Sequence, residues 1–391
     1  MKREPLSSLV NDVDQCNPEE LGRPRITYLD ISSVDNGTKR FMAPQRIAVD
    51  TAPSRARQLV HADDVLVSTV RPNLNAVALV PVEFHGEIAS TGFCVLRPQP
   101  KLLCPQYLFY FTQSAAFVTH LTTIATGASY PAVTDSDILD TCIPLPELSE
   151  QRGIAGRLEQ ADRLRRTRRY ALELTDTFLP AAFLGLFGDP KKNPNEWPQH
   201  QFSAVCLKFS DGPFGSNLKS SDYRPFGVRV VRLQNIGVGE FLDDDKAFVS
   251  KEHFAALQKH ACIPGDVLIG TMGDPNLRAC IQPAHIPIAL NKADCIQARP
   301  DPKHLNALYL QGLLNIPTTL HLVPGMVHGQ TRARVSMGEL ARLPIPVPPL
   351  QLQQEFATLV ERVERLRAVQ REALRQAEHL FASLLHRAFS G

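Results

Sequence analysis

The chain has no run of about eighteen apolar residues, no CxxC pair and no excess of either charge. Each absence removes a class of protein. Without a long apolar run no segment reads as a membrane-spanning helix. The N-terminal MKREPLSSLVNDVDQ lacks the apolar stretch of a secretory signal. The eight cysteines (16, 94, 104, 142, 206, 262, 280, 295) are scattered, which predicts reduced thiols and a cytoplasmic protein, not a disulfide scaffold or a zinc ribbon. Lys and Arg number 42 against 40 Asp and Glu, so any polyanion must be met by local patches. There is no GxxxxGK[ST] loop, no HExxH, no glycine-rich strand-to-helix fingerprint and no NPPY or DPPY tetrapeptide. His321 and His328 flank LVPGMV without neighbouring Cys or carboxylate ligands. No metal, cofactor or catalytic group is assigned on these grounds.

What is present is written twice. IPLPELSEQ at 143–151 and IPVPPLQLQ at 345–353 agree at five of nine positions, 202 residues apart. The same shift aligns Asp64-Val65-Leu66 with Asp266-Val267-Leu268, RPQPKLLCPQYL (97–108) with RPDPKHLNALYL (299–310), and Gly127 with Gly329. One register held over so many anchors marks a duplication of whole modules. Each copy orders its elements alike. Short β-branched runs come first (ITYLDI, DVLVSTV, AVALVPV; VRVVRL, GDVLIGTM, CIQPAHI). A helical stretch follows (QYLFYFTQSAAFVTHL; LNALYLQGLL). Then TDSD (134–137) or SMGE (336–339) predicts a capped short helix. The proline phrase predicts a stiff extended bridge, because proline fixes φ and biases the residue before it. It leads into a long helix, with Ser149 as N-cap of the first.

The long helices are expected over about 149–178, closed by Pro180, and about 350–389, roughly 45 and 55 Å long. In the second, Phe356, Leu359, Val363, Leu366, Gln370, Ala373, Ala377, Leu380 and Leu384 follow alternating three and four spacing, a heptad seam. The first offers a broader stripe of Ile154, Leu158, Ala161, Leu164, Ala171, Leu174 and Phe178. Each needs a partner, and the other copy is the obvious one. Because a polar linker, GDPKKNPNEWPQH (188–200), follows the first helix, antiparallel pairing is expected, with a module at either end of a rod. The fold class is therefore α+β. Two modules of mixed short strands and helices are separated by two long helices packed as an antiparallel coiled coil, in a pseudo-twofold repeat. The divisions are 1–148, 149–188, 189–349 and 350–391.

This paired order resembles the specificity subunit of type I restriction–modification systems. GASYPAVTDSDILDTCIPLPELSEQRGIAGRLEQADRLR and GQTRARVSMGELARLPIPVPPLQLQQEFATLVERVERLR resemble that family's junctions between target-recognition domain and conserved helix. DGPFGSNLK with GVRVVRLQNI resembles the opening of a recognition domain, and ALRQAEHLFASLLHRAFSG the end of the second helix. The resemblance implies a non-catalytic reader of double-stranded DNA, each module taking one half of an asymmetric bipartite target. It also implies partners: two methyltransferase subunits, which carry S-adenosylmethionine and modify adenine, and a restriction and translocation subunit that can join them. The first module departs from the pattern, having NDVDQCNPEEL where the second has GPFGSNLK.

Base reading requires Arg, Lys, amide or hydroxyl side chains on loops that reach groove edges. The candidates in the first module are Arg71, Asn73 and Asn75, then Ser129 and Tyr130. In the second they are Lys219, Arg224, Asn276 and Arg278, then Thr331, Arg332 and Arg334. The alternative for each is an ordinary surface residue. The arginine run ADRLRRTRRY (161–170) falls on the first long helix, where it is read as facing a methyltransferase or the DNA backbone. Two rivals stand beside this reading. One is a coiled-coil scaffold holding two protein-binding modules. The other is a nuclease built on Asp63-Asp64 or Asp243-Asp244-Asp245.

Overall fold

A computed structural model describes residues 2–389 except 214, 274 and 324–334. The chain divides into two compact units. One comprises residues 1–170 and 371–391, the other residues 171–370.

Each unit carries the same two four-stranded sheets. In the first unit one sheet runs Val10–Asn11, Phe93–Pro98, Val65–Ser68, Val77–Leu79, and the other Gln45–Ala48, Arg25–Leu29, Ile88–Ser90, Ala56–Leu59. In the second unit the orders are Cys206–Asp211, Cys295–Pro300, Val267–Gly270, Arg278–Ile281 and Ala247–Val249, Val228–Val231, Ala289–Asn291, Ala261–Cys262. Even the parallel pair recurs: Tyr28 stands opposite Ile88, and Val230 opposite Leu290, both 202 residues on. The opening segment breaks the register. Val10 pairs with Pro98 and Cys206 with Pro300, so Val10 to Tyr28 is six residues shorter than Cys206 to Val230. That is the missing GPFGSNLK counterpart, and the sheet topology survives without it.

The proline phrases are extended, as their composition predicts. Cys142–Pro144 pairs antiparallel with Arg3–Pro5, and Pro344–Pro346 with Gln199–Gln201. Both capped helices form. Asp137 N–H donates to Thr134 Oγ1 (3.2 Å) while Thr134 N–H donates to the Asp137 carboxylate (2.7 Å), and Ser336 and Glu339 repeat the exchange.

Three helical expectations need correction. The first long helix runs Leu148–Phe187 and carries Pro180 inside it. Proline forfeits one backbone bond there, but Phe183 and Phe187 beyond it are buried against Tyr309 and Phe356, and that packing holds the last turns. Its start lies before Ser149, because Glu147 O already accepts from Gln151 N–H (3.0 Å). The stretch at 106–121 is two helices, Pro105–Phe111 and Ala115–Ile124, the second capped by Ser114. The second long helix spans Leu350–Phe389; at forty residues each helix is about 60 Å long.

Within each unit the two helices run antiparallel. In the first, Arg165 lies over the Phe381 ring (4.0 Å) and Arg169 pairs with Glu378 (3.0 Å). In the second, Asp176 pairs with Arg367, and Phe183 meets Phe356 (5.4 Å). The seam keeps Phe356, Val363 and Ala377 but takes Val360 and Phe381 where Leu359 and Leu380 were expected. Leu164, Leu174, Phe178, Leu366 and Leu380 are exposed. Arginines line the groove instead: the Arg165 head lies over Phe381, and Arg165, Arg169 and Arg367 pair with carboxylates.

Each module closes over its helices in one core. Tyr107, Phe111, Ile154 and Leu158 cluster with Phe381, Leu385 and Phe389; Tyr309 and Leu313 cluster with Phe183, Phe187, Phe356 and Val360. At one matching position the fit is inverted. Tyr110 fills the first unit where the second has Gly312, whose missing Cβ would lie 2.9 Å from Phe356 and 3.1 Å from Phe183.

Candidate nucleic-acid interface

The first module brings its two candidate loops together by backbone bonds. Val133 N–H donates to Thr69 O (2.9 Å) and Arg71 N–H to Pro131 O (2.7 Å). Thr126 and Ala132 exchange bonds across the second loop, and Gly127 turns it at φ 104°. The first loop is a tight 3-10 turn, Pro72–Leu74, bracketed by two left-handed residues, Arg71 (φ 52°) and Asn75 (φ 49°). Arg71, Asn73, Ser129 and Tyr130 are exposed together, with the Arg71 guanidinium 4.6 Å from the centre of the Tyr130 ring. Asn75 differs: its side-chain amide donates to Thr112 O (2.8 Å). It holds the loop in place.

The sequence offered no hint of what supports this loop from behind. Lys39, on the turn between Val34–Asp35 and Arg40–Phe41, donates from Nζ to Asn75 O (2.5 Å). Burial pushes its pKa down to about 8, with Arg165 adding to the fall and Asp35 opposing it. An unfolded lysine titrates near 10.5, so between about pH 8 and 10.5 the unfolded chain holds one more proton than the folded one. Stability should therefore rise with pH across that window. Urea denaturation of wild type against Lys39→Met should show wild type gaining on the variant as pH rises. Parallel curves would mean that the lysine is not buried in solution.

The second module builds the same crossing. Val335 N–H donates to Thr271 O (3.2 Å), the counterpart of Val133 and Thr69. Thr331, Arg332 and Arg334 lie outside the described residues. Arg278 is a loop clamp: its guanidinium donates to the carbonyls of Ile236, Met272, Pro275 and Leu233 at 2.6–3.1 Å. These donors are taken by its own module. Asn276 is half-buried beside it. Lys219 is exposed, its backbone N–H tied to Asp222 (2.7 Å). Arg224 is exposed and touches the carbonyls of Ser221 and Tyr223. A further cationic group went unnoticed because its members are far apart in sequence. Lys292 Nζ donates to Tyr223 Oη (2.8 Å), and Arg232 lies 5.4 Å from the same ring.

The remaining charged motifs are occupied within the protein. Arg165 and Arg166 both pair with Asp162, and Arg169 with Glu378, so these three arginines of the run serve the helix pair. Asp64 is buried, accepting from His61 N–H (2.8 Å) and from Arg97 (2.9 Å); Asp266 repeats this with Ile263 N–H and Arg299. Asp243 pairs with Arg229, and Asp245 with Arg232. Three of the five acids named for a nuclease, Asp64, Asp243 and Asp245, are thus counter-charged. Among the described residues no group of three His, Cys, Asp or Glu is placed to hold a metal, and no helix is long and apolar enough to cross a membrane.

Two modules of one topology, each seated on antiparallel segments of two long helices and each presenting a different set of polar loop residues, define a duplicated recognition protein. Comparison with known proteins specifies which kind. Residues 23–174 match the type I restriction modification DNA specificity domain. The chain is 23% identical over 133 residues to the type I restriction enzyme HindI specificity subunit of Haemophilus influenzae, a match spanning 34% of this chain and only 28% of that subunit. It is 22% identical to the EcoKI specificity subunit of Escherichia coli K12, over 99% of this chain and 87% of that one. A solved chain from work on complex assembly and conformational transition of the type I R-M system is 27% identical and superimposes with a TM-score of 0.63, covering 99% and 97% of the two chains. The type I S subunit of M. genitalium, 15% identical, shares the fold with a TM-score of 0.59 over 99% and 96%. The matched domain, the curated relatives and the solved structures all support a type I restriction–modification specificity subunit.

Proposed function

We propose that this chain is the DNA-reading subunit of a type I restriction–modification complex. Each module reads one half of an asymmetric bipartite duplex, and the two long helices set the unread gap. The observation that carries this is a contrast. The two modules share framework bonds, yet the matching turn differs between them: Arg71 and Asn73 in one stand where the other has Gly273 and Pro275. A scaffold with two identical docking sites has no need of that divergence. The chain itself supplies no catalysis. Two methyltransferase subunits bring S-adenosylmethionine and modify adenine, a restriction subunit can join them, and the complex works on DNA in the cytoplasm. Residues 1–148 and 189–349 are the reading segments, and 149–188 and 350–391 the spacers.

Mapping methylated adenines genome-wide, in cells expressing the chain with its methyltransferase partner, should return a two-part motif with a fixed gap. Exchange of residues 1–148 for the matching segment of another family member should alter one half of that motif and leave the other. A change in both halves would overturn the modular reading. Duplex binding by the complex should also weaken steeply with salt, as phosphate contacts require.

A further inference from the structure

We infer that Arg71 determines specificity in the first half-site by reading a guanine, a refinement that rests on the DNA-reading role proposed above. Four observations converge on it.

Arg71 is the one cation on the two joined loops, residues 69–76 and 126–133. It is exposed, and among the described residues no ion pair or side-chain hydrogen bond holds its guanidinium, in contrast to the neighbouring Asn75 amide bound to Thr112 O.

Its backbone is held in an unfavourable place. A non-glycine residue at φ 52° is uncommon, and Pro72 disfavours helical geometry at the residue before it still further. Such strain persists only where surrounding bonds enforce it, here the 2.7 Å bond from Arg71 N–H to Pro131 O. The loop gives up local stability to aim one side chain.

The guanidinium lies over the Tyr130 ring, 4.6 Å from the ring centre. An arginine in a cation–π contact keeps N–H donors for further acceptors. A planar fork held on a ring matches two coplanar acceptors, which are O6 and N7 of guanine in the major groove. A phosphate accepts the same fork, and the response to 7-deazaguanine separates the two.

The duplication isolates the position. The residue 202 on is Gly273, also at positive φ (111°). A Cβ there would come within 2.9 Å of Arg278 Nη1. The left-handed backbone is common to both modules, while one carries an arginine there and the other no side chain. The guanine contact thus belongs to the first half-site alone.

The test uses the assembled complex of this chain with its methyltransferase partner. The half-motif that follows residues 1–148 in the exchange above should contain an invariant guanine. Replacing that guanine with 7-deazaguanine, which removes N7, should weaken wild-type binding roughly ten- to hundredfold. The same replacement should leave Arg71→Ala binding unchanged. The Arg71→Ala methylation map should become degenerate at that base and keep the other half intact. The inference is overturned by a first half-motif without guanine, by wild-type indifference to 7-deazaguanine, or by uniform loss of methylation in Arg71→Ala with the motif unchanged, the signature of a phosphate contact. Absence of any bipartite motif in the wild-type map would instead overturn the DNA-reading role itself. The modified duplex needs no variant protein, so a misfolded Arg71→Ala leaves the question answerable.

Discussion

Gln151→Leu should destabilise the first unit by roughly 3–5 kcal/mol, and Gln353→Leu should do the same to the second. Each glutamine ends its proline phrase and is buried in the first turn of its long helix. Gln151 Oε1 accepts from Cys104 N–H (2.9 Å), while Nε2 donates to Leu102 O (3.0 Å) and Pro146 O (2.9 Å). Gln353 repeats all three bonds on Asn306, His304 and Pro348, at 2.8, 3.0 and 2.7 Å. Leucine has nearly the same shape and neither pole. One donor and two carbonyls would be left without partners, each costing about 1–3 kcal/mol where water cannot reach. Urea denaturation, with hydrogen exchange at the Cys104 and Asn306 amides to assign the unit affected, measures it. Losses below about 1 kcal/mol in both variants would mean that water replaces the amide and that the stitch is not structural.

Asp64→Ala and Asp266→Ala should be comparably damaging, by about 3–5 kcal/mol each, because removing one partner of a buried ion pair strands the other. Both carboxylates are 1% exposed; Arg97 is 14% exposed and Arg299 30%. The stranded Arg299 therefore reaches water more readily, and Asp266→Ala should fall lower in that range than Asp64→Ala. In a double-mutant cycle, Asp64→Ala with Arg97→Ala should cost less than the two single changes summed. Strict additivity would show that the carboxylate acts only through the His61 backbone bond.

Both sets of bonds were visible in the sequence as coincidences before they were visible as chemistry. The 202-residue shift picks out Asp64, Arg97, Tyr107 and Gln151 with their partners, because these residues bond to the module's own backbone and to each other. Tyr107 Oη donates to Pro144 O and Tyr309 Oη to Pro346 O, at 2.9 and 2.8 Å. A duplicated backbone demands duplicated donors. Fold class and repeat were legible for that reason.

What escaped had no local signature. Pro180 reads as a stop because its lost bond is local, whereas the aromatic packing of Phe183 and Phe187 that outweighs it comes from residues beyond position 300. The helix seam slipped by one position because leucines look like core, and nothing in periodicity says that an arginine guanidinium will lie on Phe381 instead. In the candidate interface, the loops follow matching strands and the sequence placed them there. The roles of Asn75 and Arg278 could not be inferred, since amides and guanidiniums serve bases and carbonyls equally well. Only the bonds to Thr112, Ile236 and Leu233 tell them apart.

The make-up of the first unit bears on how the chain is born. Tyr107 and Phe111 pack against Phe389, and Tyr110 against Phe381. On the ribosome these aromatic partners emerge more than two hundred residues after the pocket that receives them. The second unit, drawn from the unbroken stretch 171–370, can finish as it is made. The part of the protein translated first is therefore completed last, and its open apolar groove must be shielded in the interval.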